Sequence, residues 1–290
     1  MATHAKVYMT EITVITTFNQ EGMNLYGQRF LDSFTYNVDK KIKLLCYAEN
    51  CLPIIKDPQQ VIVKDAKQFL PKLKTFKKKY GKVPYANGKP PEHIRNKRPR
   101  DAHKEFKWDA IRFANKTYSI FESYINAKDW LVWMDADIYV HSKWSYDEFK
   151  SLLPEDKWIT YVGRGKSAQT WPECGFYGLN LNNETCLSFL KDFEMMYEHA
   201  EQGIFQLEEW HDSFVFGTVL DRYKIINDNY LDYTQNLNLK SAQTGGGGHP
   251  IINCDLGKWI DHLKGSRKVT KKSHRRDLTV ARNEEYWKKI

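Results

Sequence analysis

The chain has 290 residues, of which 41% are hydrophobic, 14% aromatic and 28% charged, and its formal net charge is +8 at pH 7. This composition is sufficient for a packed core and excludes a disordered chain. No apolar run approaches the roughly 20 residues that a membrane-spanning helix needs, so the sequence predicts no transmembrane segment.

Strands and helices are predicted in alternation along the chain. Runs of β-branched and apolar residues predict strands, and apolar residues at helical spacing predict helices. The predicted strands cover residues 11–18, 42–47, 60–64, 130–134, 158–162 and 176–181. The predicted helices cover residues 21–34, 101–127, 184–201 and about 212–222. Residues 77–100 contain four prolines among many basic residues and predict an irregular insertion.

This alternation favours an α/β fold with a mainly parallel sheet, whose ligands lie at the carboxyl ends of the strands. We predict a single domain over residues 1–270, which includes the insertion at 77–100, followed by a basic C-terminal tail at 271–290. The five cysteines form no Cys-x-x-Cys pair, and residues 1–14 lack the apolar stretch and cleavage site of a signal peptide. We therefore expect a reduced, cytoplasmic protein.

Positive charge is concentrated in two segments. Residues 64–107 contain 15 Lys or Arg and 4 Asp or Glu, and residues 264–276 contain seven basic and no acidic residues. Such segments indicate an anionic ligand or surface, for example phosphates, nucleic acid or acidic lipid. The alternative interpretation is that both segments are solvated loops that keep the protein soluble.

Two aspartates follow the apolar strand predicted at 130–134. Residues i and i+2 of an extended chain point the same way, so Asp135 and Asp137 can converge on one site at the carboxyl end of the strand. Carboxylate oxygens, together with phosphate oxygens, are preferred ligands of Mg²⁺ and Mn²⁺. About one Asp-x-Asp pair is expected by chance in a chain of this composition. A polar strand end is therefore the alternative interpretation.

A second pattern lies near the C-terminus, where His262, Gly265 and Lys268 form His-x-x-Gly-x-x-Lys. Imidazole is a ligand for Mn²⁺ as well as zinc, glycine lets a backbone approach a phosphate, and lysine neutralises phosphate charge. The alternative for His262 is a structural histidine that packs against Trp259.

Together the two patterns resemble the GT-A glycosyltransferases, and most closely their glycogenin-like and lipopolysaccharide galactosyltransferase-like group. The resemblance implies a Rossmann-like domain that transfers a hexose from a nucleoside diphosphate sugar to a glycan or other hydroxyl acceptor. A UDP-sugar is favoured as donor, and a GDP-sugar is the alternative. It also implies that Asp135, Asp137 and His262 bind Mn²⁺ or Mg²⁺, with Lys268 on the diphosphate. That group continues its lysine with Pro-Trp, whereas this chain continues with Val269 and Thr270.

The resemblance implies further donor-binding residues. Thr16, Thr17 and Phe18 end the first strand, where such folds hold the nucleoside. The helix before the aspartates offers Arg112 or Lys116 to the phosphates, although either could be a solvated helix charge. The remaining candidates are two glycines, Gly175 facing the sugar and Gly265 facing the diphosphate.

Three residues before the last long helix are candidates for catalysis. Asp212 is favoured, either as the base of an inverting enzyme or as the group that stabilises the charged sugar of a retaining one, with His211 and Glu209 as further candidates. An N-capping role is the alternative for Asp212. Ser213 stands where the glycogenin-like group has a glutamine.

Two other functions fit the charge pattern. One is a metal-dependent nuclease or nucleotidyltransferase, although such enzymes usually need more acidic ligands around two metals. The other is a non-catalytic binder of nucleic acid or another polyanion, in which Asp135 and Asp137 are structural. Nucleic acid thus stays an alternative partner.

Overall fold

The structure is a computed structural model, and it describes residues 9–97, 104–167, 171–239, 241–242, 246–247 and 249–290. The end of the predicted insertion and the start of the helix predicted at 101–127 lie outside these residues. No helix in the described ranges combines the length and the apolar character needed to cross a membrane.

Seven strands form the central sheet, and four short strands form two separate ribbons. The sheet strands are β1 (Ile12–Asn19), β2 (Lys43–Glu49), β3 (Val61–Asp65), β4 (Trp130–Met134), β6 (Ile159–Val162), β7 (Glu173–Asn180) and β8 (Leu231–Asp232). The ribbon strands are β5 (Ile138–Val140), which pairs with β11 (Ile260–His262), and β9 (Ser241–Ala242), which pairs with β10 (Gly246–Gly247).

Helices cover both faces of the sheet. They are α1 (Gln20–Gly22), α2 (Gln28–Asn37), α3 (Ala66–Phe69), α4 (Pro71–Tyr80), α5 (Glu92–Lys97), α6 (Ala110–Ser123), α7 (Tyr146–Ser151), α8 (Glu184–Glu198), α9 (Asp212–Ile226), α10 (Pro250–Asn253), α11 (Arg267–Thr270) and α12 (Glu285–Lys288). A π-helical turn, Met23–Gly27, joins α1 to α2.

The strand order is β3-β2-β1-β4-β7-β6-β8. Strand β1 pairs in parallel with β2 and β4, β2 pairs in parallel with β3, and β6 does so with β8. Only β7, within this sheet, runs antiparallel to its neighbours β4 and β6. The structure confirms the predicted class, a mainly parallel α/β sheet flanked by helices in a Rossmann-like arrangement.

The sheet is buried on both faces, which explains its apolar central strands. Every residue of β4 is buried, and one apolar cluster lies on each side of the sheet. Continuous apolar runs of this kind are typical of strands that helices cover on both sides.

The segment 77–100 has more regular structure than the irregular insertion that its prolines predict. Its first four residues complete α4, which buries Leu73, Phe76 and Tyr80 at helical spacing, and α5 lies within it. The apolar face of α4 outweighs its run of lysines, because burying these side chains stabilises the helix against the core.

Residues 271–290, predicted from their charge to be a basic tail, pack against the domain. Trp287 is 1% exposed, and its indole N–H donates to the Gly257 carbonyl at 2.7 Å. Asp261, beside His262 on β11, accepts hydrogen bonds from the Ser273 hydroxyl at 2.6 Å and the Tyr286 hydroxyl at 2.8 Å. This segment therefore supports the strand that carries His262.

Candidate metal and donor site

Asp135 and Asp137 lie in the turn between β4 and β5, at the carboxyl edge of the sheet. The Asp135 backbone N–H donates to the Gly175 carbonyl of β7 at 2.9 Å, and the Ile138 N–H donates to the Asp135 carbonyl at 3.0 Å. These bonds fix the turn directly after the buried strand. Both carboxylates therefore lie where ligands of parallel sheets collect.

His262 reaches the two aspartates through a short antiparallel ribbon. Strand β11 pairs with β5 so that His262 lies opposite Ile138. The imidazole Nε2 lies 3.0 Å from Asp137 Oδ1 and 3.5 Å from Asp135 Oδ2, and the side chain is fully buried. The structure thus brings together three side chains that lie as far as 127 positions apart in the sequence.

The three side chains fit a divalent cation. One ligand atom of each lies within 4.8 Å of those of the other two, and among the described residues this is the only such group of three or more His, Cys, Asp or Glu. Two carboxylates and one imidazole match the ligand preference of Mn²⁺, and the carboxylates also suit Mg²⁺. The His262 Nδ1 is buried without a hydrogen-bond partner among the described residues.

Neighbouring cations set the charge of this group. Although burial opposes ionisation, Lys116 and His262 hold the pKa of Asp135 well below its ordinary value, and His262 and Lys268 lower the pKa of Asp137. Burial alone would lower the pKa of His262, but Asp137 and Asp135 raise it to about 9. In the metal-free protein the carboxylates are therefore neutralised by protein cations.

Lys268 lies beside Asp137 of the metal group. Its ammonium is 3.1 Å from Asp137 Oδ2 and 4.6 Å from the centroid of the Tyr26 ring. Gly265, which precedes α11, has a φ of +58°, and an added Cβ would meet nothing within 4 Å. The positive φ favours glycine at this position and turns the chain so that Lys268 points back to Asp137.

Tyr26 is a residue of this site that the sequence analysis did not select. It lies in the π-helical turn Met23–Gly27, and π-helical turns are frequent at functional sites. Burial, followed by the nearby carboxylate of Asp137, raises the pKa of its phenol to about 12. No sequence motif marks it, because its position depends on how this turn packs against α11.

Glu173 is a second residue that the sequence analysis did not select. It is 4% exposed, and it pairs with Lys264 at 2.6 Å and with Arg164 at 3.2 Å. Its Oε1 also lies 3.9 Å from the His262 Nδ1. These cations hold its pKa below the ordinary value despite burial. An acidic residue that opens an apolar strand was the only sequence signal for a buried carboxylate here.

Lys116 connects the metal group to the candidate catalytic carboxylate. Its buried ammonium lies 3.1 Å from Asp135 Oδ1 and 2.7 Å from Asp212 Oδ2, and it donates to the Cys174 carbonyl. The two carboxylates raise the pKa of Lys116 well above its ordinary value, although burial opposes this. Lys116 is therefore neither a solvated helix charge nor free to reach donor phosphates without leaving these partners.

The other two catalytic candidates, Glu209 and His211, precede Asp212 in the chain and are buried. Glu209 is fully buried, 3.0 Å from the Lys107 ammonium and 3.0 Å from the His211 Nε2. The His211 side chain is 5% exposed and lies among aromatic rings, including that of Trp171. His211 is also the N-cap residue of α9, so Asp212 is the first residue of the helix rather than its cap.

At the end of β1, the side chains of Thr16 and Phe18 are buried and that of Thr17 is half-buried. Thr16 is fully buried, and its hydroxyl has no hydrogen-bond partner in the described structure. The Thr17 hydroxyl donates to the Tyr47 carbonyl at 2.7 Å. Phe18 is 4% exposed and packs against Gly27. Nucleoside binding by these three residues stays a prediction.

The last two donor-binding candidates are Arg112 and Gly175. Arg112 is exposed on α6 and close enough to Tyr26 to lower its pKa, so it remains available to a ligand. Gly175 is buried on β7, where an added Cβ would lie 2.5 Å from the His262 Cε1. The space that Gly175 leaves is filled by the imidazole.

Comparison with solved structures finds glycosyltransferases at very low sequence identity. The crystal structure of the glycosyltransferase GlyE from Streptococcus pneumoniae TIGR4 is 8% identical and aligns with a TM-score of 0.40 over 77% of this chain and 45% of that chain. The GlyE apo form gives 0.42 over the same shares at 8% identity. The apo structure of the bifunctional glycosyltransferase WbbM gives 0.39 at 10% identity, over 79% of this chain and 39% of that chain.

This chain thus spans less than half the length of those structures. TM-scores near 0.4 are too low to assign a function. No protein-family model matches the chain, and no curated protein matches it.

Proposed function

We propose that this protein is a metal-dependent glycosyltransferase of the GT-A type, which transfers a sugar from a nucleoside diphosphate sugar to an acceptor hydroxyl. The proposal is supported mainly by the convergence of Asp135, Asp137 and His262 at the carboxyl edge of the sheet, with Lys268 beside them. This combination of carboxylates, imidazole and ammonium suits a cation bound to a diphosphate.

The side chains around the metal group have complementary roles in this proposal. Asp135, Asp137 and His262 would hold Mn²⁺ or Mg²⁺, which when bound supplies a Lewis acid for the departing nucleoside diphosphate. Lys268 would stabilise the negative charge that builds on the diphosphate, and it lies close enough to exchange Asp137 for a phosphate oxygen. A UDP-sugar is the favoured donor.

Asp212 is the proposed catalytic carboxylate. In an inverting reaction it would accept the proton of the attacking hydroxyl, and in a retaining reaction it would stabilise positive charge on the sugar. Lys116 positions Asp212, because its ammonium joins this carboxylate to Asp135. The catalytic group and the metal group are therefore held by one buried lysine.

A cavity of 520 Å³ beside α9 is a candidate for part of the acceptor site. Its walls include the rings of Trp171 and Phe214 together with the polar side chains of Arg164, Thr218 and Asp221. Aromatic walls with a few polar groups are typical of small-molecule sites of this volume. The cavity does not include the metal group, but its wall residue Arg164 pairs with Glu173 next to the imidazole.

The nuclease alternative has less support. A two-metal nuclease needs further carboxylates, and the described residues contain a single group of three ligands. A polyanion binder would not require His262 to meet two aspartates in a buried position.

Calorimetry with UDP and GDP, each with and without Mn²⁺, tests the proposed function. We expect metal-dependent binding of a nucleoside diphosphate, weakened at least about 100-fold in Asp137→Ala because a ligand of the cation is lost. Asp156→Ala is the matched control, since the side chain of Asp156 is 63% exposed in a surface turn. If neither diphosphate binds under any metal condition, the proposal is wrong.

A further inference from the structure

Four aliphatic side chains are exposed in the segments that follow β1, β2 and β11. Leu52 is 91% exposed, Ile54 71% and Val269 70%, and Leu25 is 38% exposed. Leucine, isoleucine and valine bury more often than most residue types, so their exposure together is informative. Together these four residues form the aliphatic rim.

Contacts along one helical segment connect the parts of the chain that carry the rim. The Gln28 side chain donates to the Ile54 carbonyl at 2.9 Å and accepts from the Ile54 N–H at 2.9 Å, which ties the loop after β2 to α2. On the same segment, Lys268 lies over the ring of Tyr26. Leu25 and Val269 are the chain neighbours of Tyr26 and Lys268. The loop after β2 and the segment after β11 thus both contact residues 26–28, next to Leu25 in the chain.

The segments that carry the rim follow strands whose carboxyl ends lie at the edge of the metal group. Strands β1, β2 and β4 are parallel, so their carboxyl ends share one edge. Leu25 follows β1, Leu52 and Ile54 follow β2, and Asp135 follows β4 directly. Val269 follows β11, which pairs with the turn region of the metal group.

Positive charge adjoins the rim. After Val269 come four exposed basic residues, Lys271, Lys272, Arg275 and Arg276. No ion pair joins any of them to an acidic residue in the described part of the chain, whereas nearby Arg267 is paired with Asp277 at 2.6 Å. The C-terminal basic segment is therefore fixed to the domain beside the rim, with its charges directed to solvent.

We propose that the aliphatic rim and these basic residues form a docking surface for an anionic phospholipid bilayer. Aliphatic side chains would enter the boundary between headgroups and acyl chains, while the lysines and arginines would contact the lipid phosphates. A nucleic acid would contact the same charges but would leave Leu52 and Ile54 in water. This surface would place Lys268 and the metal group near the membrane, and it does not depend on the proposed sugar transfer.

Sedimentation with vesicles of phosphatidylcholine, with and without phosphatidylglycerol, tests this proposal on the full chain. We expect binding to the phosphatidylglycerol vesicles and at least tenfold weaker binding to pure phosphatidylcholine. Binding should need both the burial of aliphatic side chains and the attraction of basic residues to anionic lipid. The double variant Leu52→Ser, Ile54→Ser and the double variant Lys271→Glu, Lys272→Glu should each weaken binding at least about tenfold.

Ile225→Ser, Ile226→Ser is the matched control. These residues are 89% and 73% exposed, so they resemble Leu52 and Ile54 in exposure and character. They end α9 near the start of β6, where Asn227 accepts a hydrogen bond from the Trp158 indole, at the opposite edge of the sheet. Vesicle binding should be unchanged in this variant, and all variants should keep the wild-type unfolding temperature.

Two results would overturn the proposal. One is the absence of binding to phosphatidylglycerol vesicles. The other is binding that the Leu52 and Ile54 substitutions leave unchanged, since the charges alone would then act as a general polyanion surface. A duplex oligonucleotide that binds the wild type and the Leu52→Ser, Ile54→Ser variant equally would identify that case. Metal-dependent binding of UDP, measured on the same proteins, separates this outcome from a failure of the proposed function.

Discussion

Lys116 and Asp212 form a buried ion pair of 2.7 Å that joins helix α6 to the first turn of α9. The same ammonium lies 3.1 Å from Asp135, so one lysine neutralises a carboxylate of the metal group and the candidate catalytic carboxylate. Removal of a buried ion-pair partner is costly, because the remaining charge loses its compensation in a poorly solvated position.

Lys116→Met should therefore destabilise the protein by about 3 kcal/mol. Methionine fills most of the same volume, so the decrease in the free energy of unfolding measures lost charge compensation rather than the cost of a cavity. Urea unfolding followed by circular dichroism provides the free energy. Lys128→Met is the control, because Lys128 is 76% exposed and its 4.0 Å pair with Glu11 should contribute little. Equal stability of the two variants would contradict the bridging role.

Asp212→Asn should separate catalysis from donor binding. The amide keeps the shape of the carboxylate but cannot act as a base, so turnover should fall at least about 100-fold while metal-dependent UDP binding is retained. Release of free sugar from the donor in the absence of an acceptor provides the assay. Asp156→Asn, whose side chain is 63% exposed in a surface turn, should leave this rate unchanged. Unchanged turnover in Asp212→Asn would exclude Asp212 as the catalytic group.

Gly175→Ala should displace His262 from the metal group. The added Cβ would lie 2.5 Å from the His262 Cε1 and 2.8 Å from the Ile251 Cδ1. We expect a loss of about 1–3 kcal/mol in unfolding free energy from overpacking and metal affinity at least about tenfold weaker.

Gly265→Ala is the comparison for this variant. Its positive φ costs about 1 kcal/mol for alanine, but no atom lies within 4 Å of the new Cβ. Mn²⁺ affinity should therefore be unchanged in Gly265→Ala. Calorimetry with Mn²⁺ alone distinguishes the two glycines, and equal affinities would show that Gly175 does not control the imidazole.

Metal binding should strengthen as the pH rises. A metal ligand must be deprotonated, and the pKa of His262 in the metal-free protein is raised to about 9. Mn²⁺ affinity should therefore increase about tenfold per pH unit between pH 7 and 9 and level off above that. Calorimetry across this range measures the pH dependence of Mn²⁺ affinity. His262→Asn should abolish most of this dependence. A flat profile in the wild type would contradict a protonated His262.

The metal-free protein, in contrast, should become less stable as the pH rises. Because the folded pKa of His262 exceeds the unfolded value near 6.5, the protonated pair stabilises the fold fully below about pH 6.5, and this stabilisation is lost as the pH rises through about 9. Thermal unfolding in a chelator, compared between the wild type and His262→Asn, measures this contribution.

The sequence by itself determined the α/β class and most of the strands. The five residues of β4 are apolar throughout and end at Asp135, so a single short window contained both the strand and its polar end. The same local pattern predicted that Asp135 and Asp137 would share one side of the chain. His262 could be selected only because a family resemblance supplied its role.

Only the tertiary structure decided which side chains meet. The pairing of β5 with β11 brings His262 to Asp137 across 125 positions, and the docking of α6 against β7 and α9 brings Lys116 to Asp212. Glu173 and Tyr26 have no recognisable motif, because their roles depend on neighbours from distant segments. Contacts of this kind depend on packing between elements, whereas periodicity and composition report only on each element alone.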